Sequence, residues 1–197
     1  MSGITGRKEL KTYSNSGQVK KEFGPAGICV IPGDMENYYA DILITLADAE
    51  VKFVLAGGVA CVLHGVERLT FDIDIAVDMS KENLDRFFIV LQALNFKPRL
   101  PVELEFLKDP ERVRDAVQNK NALMFTVYDP ELPIKQIDIF LSKENSYQQL
   151  ISSTVSVEIG GRTISLVTVA KLIEMKRAAG REKDISDIAE LERLMSC

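Results

Sequence analysis

The sequence predicts an α/β (α+β) fold, a small β-sheet flanked by helices with a helical segment closing the chain. Three observations carry that prediction. Apolar runs of strand length at 51–56, 72–77 and 134–141 alternate with stretches whose apolar residues recur every three or four positions. A hairpin is legible at 155–166, where two alternating strands flank Gly160-Gly161. Beyond it, two segments of helical period run to the end of the chain.

Taken in order, residues 1–34 are polar, rich in Ser, Gly and Lys, and weakly patterned; they predict an N-terminal extension ending near Pro32-Gly33, with one short strand at 27–31. At 35–49, Tyr39, Ile42, Leu43 and Leu46 form the apolar stripe of an amphipathic helix. The strand at 51–56 ends on Gly57-Gly58, and 59–64 reads as a short helix. After the strand at 72–77, Ser80 suits an N-cap for a helix whose packed face is Leu84, Phe87, Phe88, Leu91 and Leu94, with Pro98 and Pro101 as stops. Residues 102–120 are charged and carry no clear period. Strands at 123–128 and 134–141 surround a turn at Asp129-Pro130. In the hairpin, Val157 faces Ile164 and Val155 faces Leu166. Thr168 caps the next helix and Gly180 ends it; Ile185, Ile188, Leu191 and Leu194 mark the buried stripe of the last. This divides the chain into an extension (1–34), a core (35–167) and a C-terminal helical segment (168–197) that closes a cleft.

Composition narrows the function. At 197 residues and 46% hydrophobic, the chain suits one ordinary domain with a sizeable core. A net charge of −5 argues against a dominant nucleic-acid-binding surface, while leaving room for a local basic groove. No apolar run approaches the roughly 18 residues of a membrane span, and the first residues lack the apolar centre of a signal peptide. Cys29, Cys61 and Cys197 are far apart and form no CxxC pair, which fits a reducing cytoplasm rather than a disulfide framework or a zinc site. One histidine and no tryptophan leave little material for histidine metal sites or His-dependent triads.

The chemistry concentrates in carboxylates. Asp72 and Asp74 stand at i and i+2 of a predicted strand, so both leave one face while Phe71, Ile73 and Ile75 leave the other. Asp138 sits between Ile137 and Ile139 in a second predicted strand; if the two strands are neighbours, it joins the first two. Three converging carboxylates repel unless a cation lies between them. Hard oxygen ligands of this kind suit Mg²⁺, and two such ions about 4 Å apart serve phosphoryl and nucleotidyl transfer. A strand turning on Gly57-Gly58 into a helix offers backbone N–H groups to a phosphate, with Arg68 and Lys176 as the nearest cations. The plainer alternatives stand beside this. Asp72, Asp74 and Asp138 also suit a solvated sheet face, the glycine pair a tight turn, and Lys171, Lys176 and Arg177 a solvated helix face. Asp184 also suits a helix cap, and His64 and Cys61 read as packing residues.

The ordered string Gly57-Gly58, Arg68-x-Thr70-x-Asp72-Ile-Asp74-Ile, with a later Ile-Asp138-Ile, resembles the nucleotidyltransferase superfamily of DNA polymerase beta. The stretch from Lys171 through Lys176, Gly180-Arg181, Lys183-Asp184 and Asp187 is similar to the closing helix pair of small bacterial and archaeal members, among them aminoglycoside and lincosamide adenylyltransferase-like proteins and AbiEii-type toxins. The resemblance spans roughly 35–194 and implies a mixed sheet in the nucleotidyltransferase arrangement. It implies Asp72, Asp74 and Asp138 as catalytic metal ligands, with Asp138 also the general base. It implies Gly57, Gly58, Arg68, Thr70 and Lys176 on the nucleotide. Arg181, Lys183, Asp184 and Asp187 belong to the helix-pair signature. Where the superfamily usually carries Gly-Ser, this chain has Gly-Gly, so no serine hydroxyl serves the phosphate.

The expected activity is therefore Mg²⁺-dependent transfer of a nucleoside monophosphate from a nucleoside triphosphate such as ATP to an acceptor hydroxyl, with release of pyrophosphate. A small-molecule acceptor leads. A toxin-like enzyme adding nucleotides to tRNA, with a partner protein if it belongs to a toxin–antitoxin pair, is the first rival; a non-catalytic nucleotide-binding scaffold is the second.

Overall fold

The computed structural model describes residues 34–196. The predicted extension with its strand at 27–31, and Cys29 and Cys197, lie outside the described residues. Seven strands form one mixed sheet: β1 (Phe53–Ala56), β2 (Asp72–Val77), β3 (Lys97–Pro98), β4 (Met124–Tyr128), β5 (Gln136–Phe140), β6 (Thr154–Ile159) and β7 (Arg162–Val167). Their spatial order is β3-β4-β5-β2-β1-β7-β6. Around them lie α1 (Asp34–Asp48), α2 (Gly57–Leu63), α3 (Lys81–Ala93), α4 (Pro110–Lys120), α5 (Tyr147–Leu150), α6 (Val169–Ala179) and α7 (Asp184–Met195). None of the helices described is long and apolar enough to cross a membrane.

Connection length sets strand direction. The short α2 and its loop return the chain antiparallel, pairing β1 with β2. The long excursion through α3 and α4 lets β5 enter parallel to β2, as a parallel neighbour requires. β7 then adds parallel to β1, at Leu55 opposite Leu166. The β6–β7 hairpin forms in the expected register, Val157 opposite Ile164 and Val155 opposite Leu166.

The centre of the sheet is apolar throughout: Leu55, Ile73, Ile75, Ile137 and Ile139 have no exposed surface. The α1 stripe of Tyr39, Ile42, Leu43 and Leu46 is buried as the spacing predicts, as are Leu84, Phe87, Phe88 and Leu91 of α3. Leu94 instead falls at the C-cap of α3. One buried residue of α3 is polar. The Asn83 amide accepts from Lys52 N–H at 2.7 Å and donates to the carbonyls of Lys52 (3.0 Å) and Asp78 (2.8 Å). It thereby satisfies the chain where it enters β1 and leaves β2.

Three details depart from the sequence reading. Helix α3 ends before Pro98 is reached, at Asn95 with φ +58°, and Pro98 pairs with Val127 in the two-residue edge strand β3, a position that tolerates a residue without an N–H. The charged stretch 102–120 holds a 3-10 turn (Leu104–Lys108) and α4, capped by the Asp109 carboxylate on the N–H groups of Glu111 and Arg112. Because α4 buries only Ala116, no apolar stripe announced it. In α7, Ile185 is 66% exposed; Asp184, Asp187 and Leu191 face inward instead.

Candidate active site

The parallel register of β2 and β5 sets Asp74 directly opposite Asp138, with Asp72 opposite Gln136. Alternation sends all three carboxylates to one face. In the antiparallel β4–β5 pair, Thr126 lies opposite Asp138 and its hydroxyl donates to Asp138 Oδ1 at 2.5 Å. Opposite Asp74 on the other side is Ala56, the last residue before the glycine pair.

Gly57 is required twice over. Its φ is +63°, and a Cβ there would stand 1.8 Å from Asp74 Oδ2. This turn brings the backbone of Gly58 onto Asp74, and Gly58 N–H donates to Asp74 Oδ2 at 3.2 Å. A Cβ at Gly58 would meet the Thr70 hydroxyl at 2.3 Å. The pair therefore lets the start of α2 close over β2; one of its N–H groups, expected on a phosphate, holds a carboxylate here. Replacing Gly57 with Ala is expected to cost at least about 1–2 kcal/mol for the left-handed backbone alone, plus the displacement of Asp74. Urea unfolding measures the loss, and an unchanged midpoint would count against the close approach.

Asp74 is pushed up to about 6 by burial first, then by the charges of Asp138 and Asp72, against the lowering effect of Gly58 N–H and Arg181. Burial and Asp72 likewise raise Asp138, while the Thr126 hydroxyl, Arg99 and Lys183 pull it back. Buried carboxylates raised by a neighbouring carboxylate in this way suit a hard divalent cation by donor chemistry. They are arrayed along the sheet: among the described residues, no three His, Cys, Asp or Glu groups enclose an ion as they stand. Beside them, the Tyr39 hydroxyl donates to the Thr70 carbonyl. The Tyr38 hydroxyl is buried without a hydrogen-bond partner among the described residues, under the influence of Asp129 and Asp72.

A second cluster locks the C-terminal helices. Lys176 Nζ, almost fully buried, donates to Asp184 Oδ1 at 3.0 Å and Asp187 Oδ2 at 2.7 Å. Arg68 pairs with Asp187, and Arg181 Nε donates to Asp184 Oδ2 at 2.7 Å. Burial works against the charge on Lys176, but its hydrogen bonds to Asp187 and Asp184 and the charge of Asp187 outweigh it and raise its pKa. Burial pushes the Cys61 thiol up to about 11, against the lowering influence of the Lys176 charge. Lys176 and Arg68, expected at the phosphates, are thus engaged with Asp187 in this structure. Asp184, which suited a helix cap, is the second anchor of Lys176. His64 caps α2 and its Nε2 lies 2.7 Å from the Val167 carbonyl.

The sequence reading missed Thr126 as a partner of Asp138. The connection from 129 to 135 is too long for its turn residues to set the register, so no local signal placed Thr126 opposite Asp138. It also left Arg181 and Lys183 in the helix signature, whereas their charges act on Asp74 and Asp138. A cavity of about 510 Å³ opens on Asp74, floored by Met124, Phe140, Leu172 and Met175 and rimmed by Glu144 and Arg181.

No family model matches the sequence, and no curated protein matches it. Solved structures do share the fold. The chain is similar to the lincosamide antibiotic adenylyltransferase LnuA, solved with lincomycin bound, at TM-score 0.52 and 18% identity, over 82% of this chain and 98% of that one. It is similar to the antibiotic-resistance factor ANT(2'')-Ia at TM-score 0.50 and 15% identity, over 82% of this chain and 83% of that one.

Proposed function

We propose that this chain, which has the nucleotidyltransferase fold, transfers a nucleoside monophosphate from a nucleoside triphosphate to a hydroxyl of a small molecule. The observation that carries the reading is the pairing of Asp74 with Asp138 across adjacent parallel strands, with Asp72 on the same face. Asp72, Asp74 and Asp138 would hold Mg²⁺, which would supply neutralisation of triphosphate charge when bound. Asp138 takes the proton of the acceptor hydroxyl; its raised pKa makes it a better base than an ordinary carboxylate. The acceptor oxygen then bonds to the α-phosphorus as the bond to pyrophosphate breaks. Thr126 holds the Asp138 carboxylate in place through Oδ1. The triphosphate lies against the Gly57-Gly58 turn, flanked by Arg181 and Lys183, while Arg68, Thr70 and Lys176 support that wall and the last helix.

A small-molecule acceptor is favoured by the largely apolar cavity beside Asp74 and by the net charge of −5. The two structurally similar proteins, one solved with lincomycin bound and the other an antibiotic-resistance factor, point the same way. The test is incubation of the full chain with each α-labelled triphosphate and Mg²⁺ against aminoglycoside, lincosamide, tRNA and protein acceptors. Label on a small molecule with stoichiometric pyrophosphate supports the reading. Label on tRNA replaces the acceptor class, and no transfer together with no triphosphate binding overturns the enzyme reading.

A further inference from the structure

A larger cavity, about 620 Å³, lies at the opposite end of β1 from the glycine turn. Lys52, Phe53, Arg86, Tyr147, Thr163 and Ser165 line it. Phe53 belongs to this cavity and Gly57 to the one at Asp74; the four residue steps between them span about 13 Å of strand. Nothing in the carboxylate site uses these residues.

Arg86 is the group that needs explaining. Its Nε is buried and has no hydrogen-bond partner among the described residues. Its one hydrogen bond is long, 3.4 Å from an Nη to Asn83 Oδ1, an oxygen already accepting Lys52 N–H at 2.7 Å. Among the described residues no carboxylate forms an ion pair with it. A guanidinium carries five donors and stays charged at any working pH. The buried Nε edge of Arg86 is costly to leave unpaired, and the protein side supplies almost no compensation; the side chain as a whole is half-buried and lines the open cavity. An anion in the cavity that Arg86 lines would supply that compensation. There the lining adds a second cation in Lys52 and the hydroxyls of Thr163, Ser165 and Tyr147, against an apolar wall at Phe53. Glu50 is the sole carboxylate among the lining residues; like Lys52 and Thr163 it is exposed to solvent.

We propose that this cavity is a second ligand site, for a small molecule that joins an oxyanion, phosphate or carboxylate, to an apolar or aromatic body. The oxyanion sits on Arg86 and Lys52 with the hydroxyls around it, and the body lies against Phe53. The volume falls within the range of small-molecule pockets. The site stands on its own observations and does not depend on the reaction proposed above.

Calorimetric titration of the full chain with phenyl phosphate, benzoate and inorganic phosphate tests it. Saturable binding of phenyl phosphate or benzoate, about tenfold tighter than inorganic phosphate, is expected, and the tighter of the two names the oxyanion. Arg86→Gln should weaken that binding at least about tenfold, and Asp74→Asn should leave it in place. Should Arg86→Gln fail to fold, the double variant Lys52→Gln/Ser165→Ala should show a several-fold loss. No saturable binding by any probe, or binding that survives Arg86→Gln and Lys52→Gln/Ser165→Ala but disappears in Asp74→Asn, overturns the proposal.

Discussion

Replacing Asp74 with Asn is expected to lower nucleotidyl transfer roughly a thousandfold while making the metal-free protein more stable at neutral pH. The two effects share one cause. Asp74 is enclosed between the glycine turn and Asp138, so its charge is costly in the absence of a cation. Burial pushes its carboxyl up to about 6, above the 3.8 of an ordinary aspartate. Below about pH 4 the carboxyl is neutral in both folded and unfolded chains and contributes no penalty. As pH rises through 6 the folded protein must lose a proton that the unfolded chain has already lost, and stability falls, on the order of 3 kcal/mol in all. Asparagine keeps an oxygen to accept Gly58 N–H and carries no charge. The variant should therefore melt several degrees higher at pH 7.5, and the difference should close as pH falls toward 4. Added Mg²⁺ should raise the melting temperature of the native chain and leave the variant's almost unchanged. A variant less stable at pH 7.5 than at pH 4, relative to the native chain, would remove the buried-charge account of the site.

The sequence was most informative where local rules and the tertiary fold agree. Asp72–Val77 is a strand because its alternation fits the pleat, and the same alternation already put Asp72 and Asp74 on one face. The hairpin at Gly160-Gly161 and the caps at Thr168 and Gly180 are equally local, and each appears in the structure. That Asp138 lies opposite Asp74 is a different kind of fact. It depends on a crossover of some sixty residues, and only the resemblance, not the spacing, could anticipate it. The sequence was silent where burial is polar. Nothing in the pattern of α7 says that Asp184 and Asp187 turn inward in place of Ile185, because an apolar stripe is the only inward signal periodicity offers. Asn83 and Arg86 on α3 are illegible for the same reason: their roles come from partners far away in sequence, or from the lack of one.

The Lys176 cluster yields the second large effect, and it separates two roles for this lysine. Replacing Lys176 with Met keeps most of its volume and removes a cation from between two carboxylates whose side chains are 2% and 6% exposed. Breaking a buried pair from one side costs about 3–5 kcal/mol, because the remaining charge has lost its partner. Arg181 still holds Asp184 and Arg68 still holds Asp187, so the low end of that range is expected. For a chain of this size that corresponds to a melting temperature lower by roughly 6–12 °C. In urea the midpoint should fall with an unchanged slope. The triple variant Lys176→Met/Asp184→Asn/Asp187→Asn should recover part of the loss, since it removes the stranded charges along with the lysine. If Lys176 instead serves the triphosphate, the single variant keeps its urea midpoint and shows a raised KM for the nucleotide. Measured below the melting transition, a lowered midpoint with KM changed by less than about fivefold assigns Lys176 to holding α7 against α6 and the wall of the site, with Arg181 and Lys183 left to meet the phosphates.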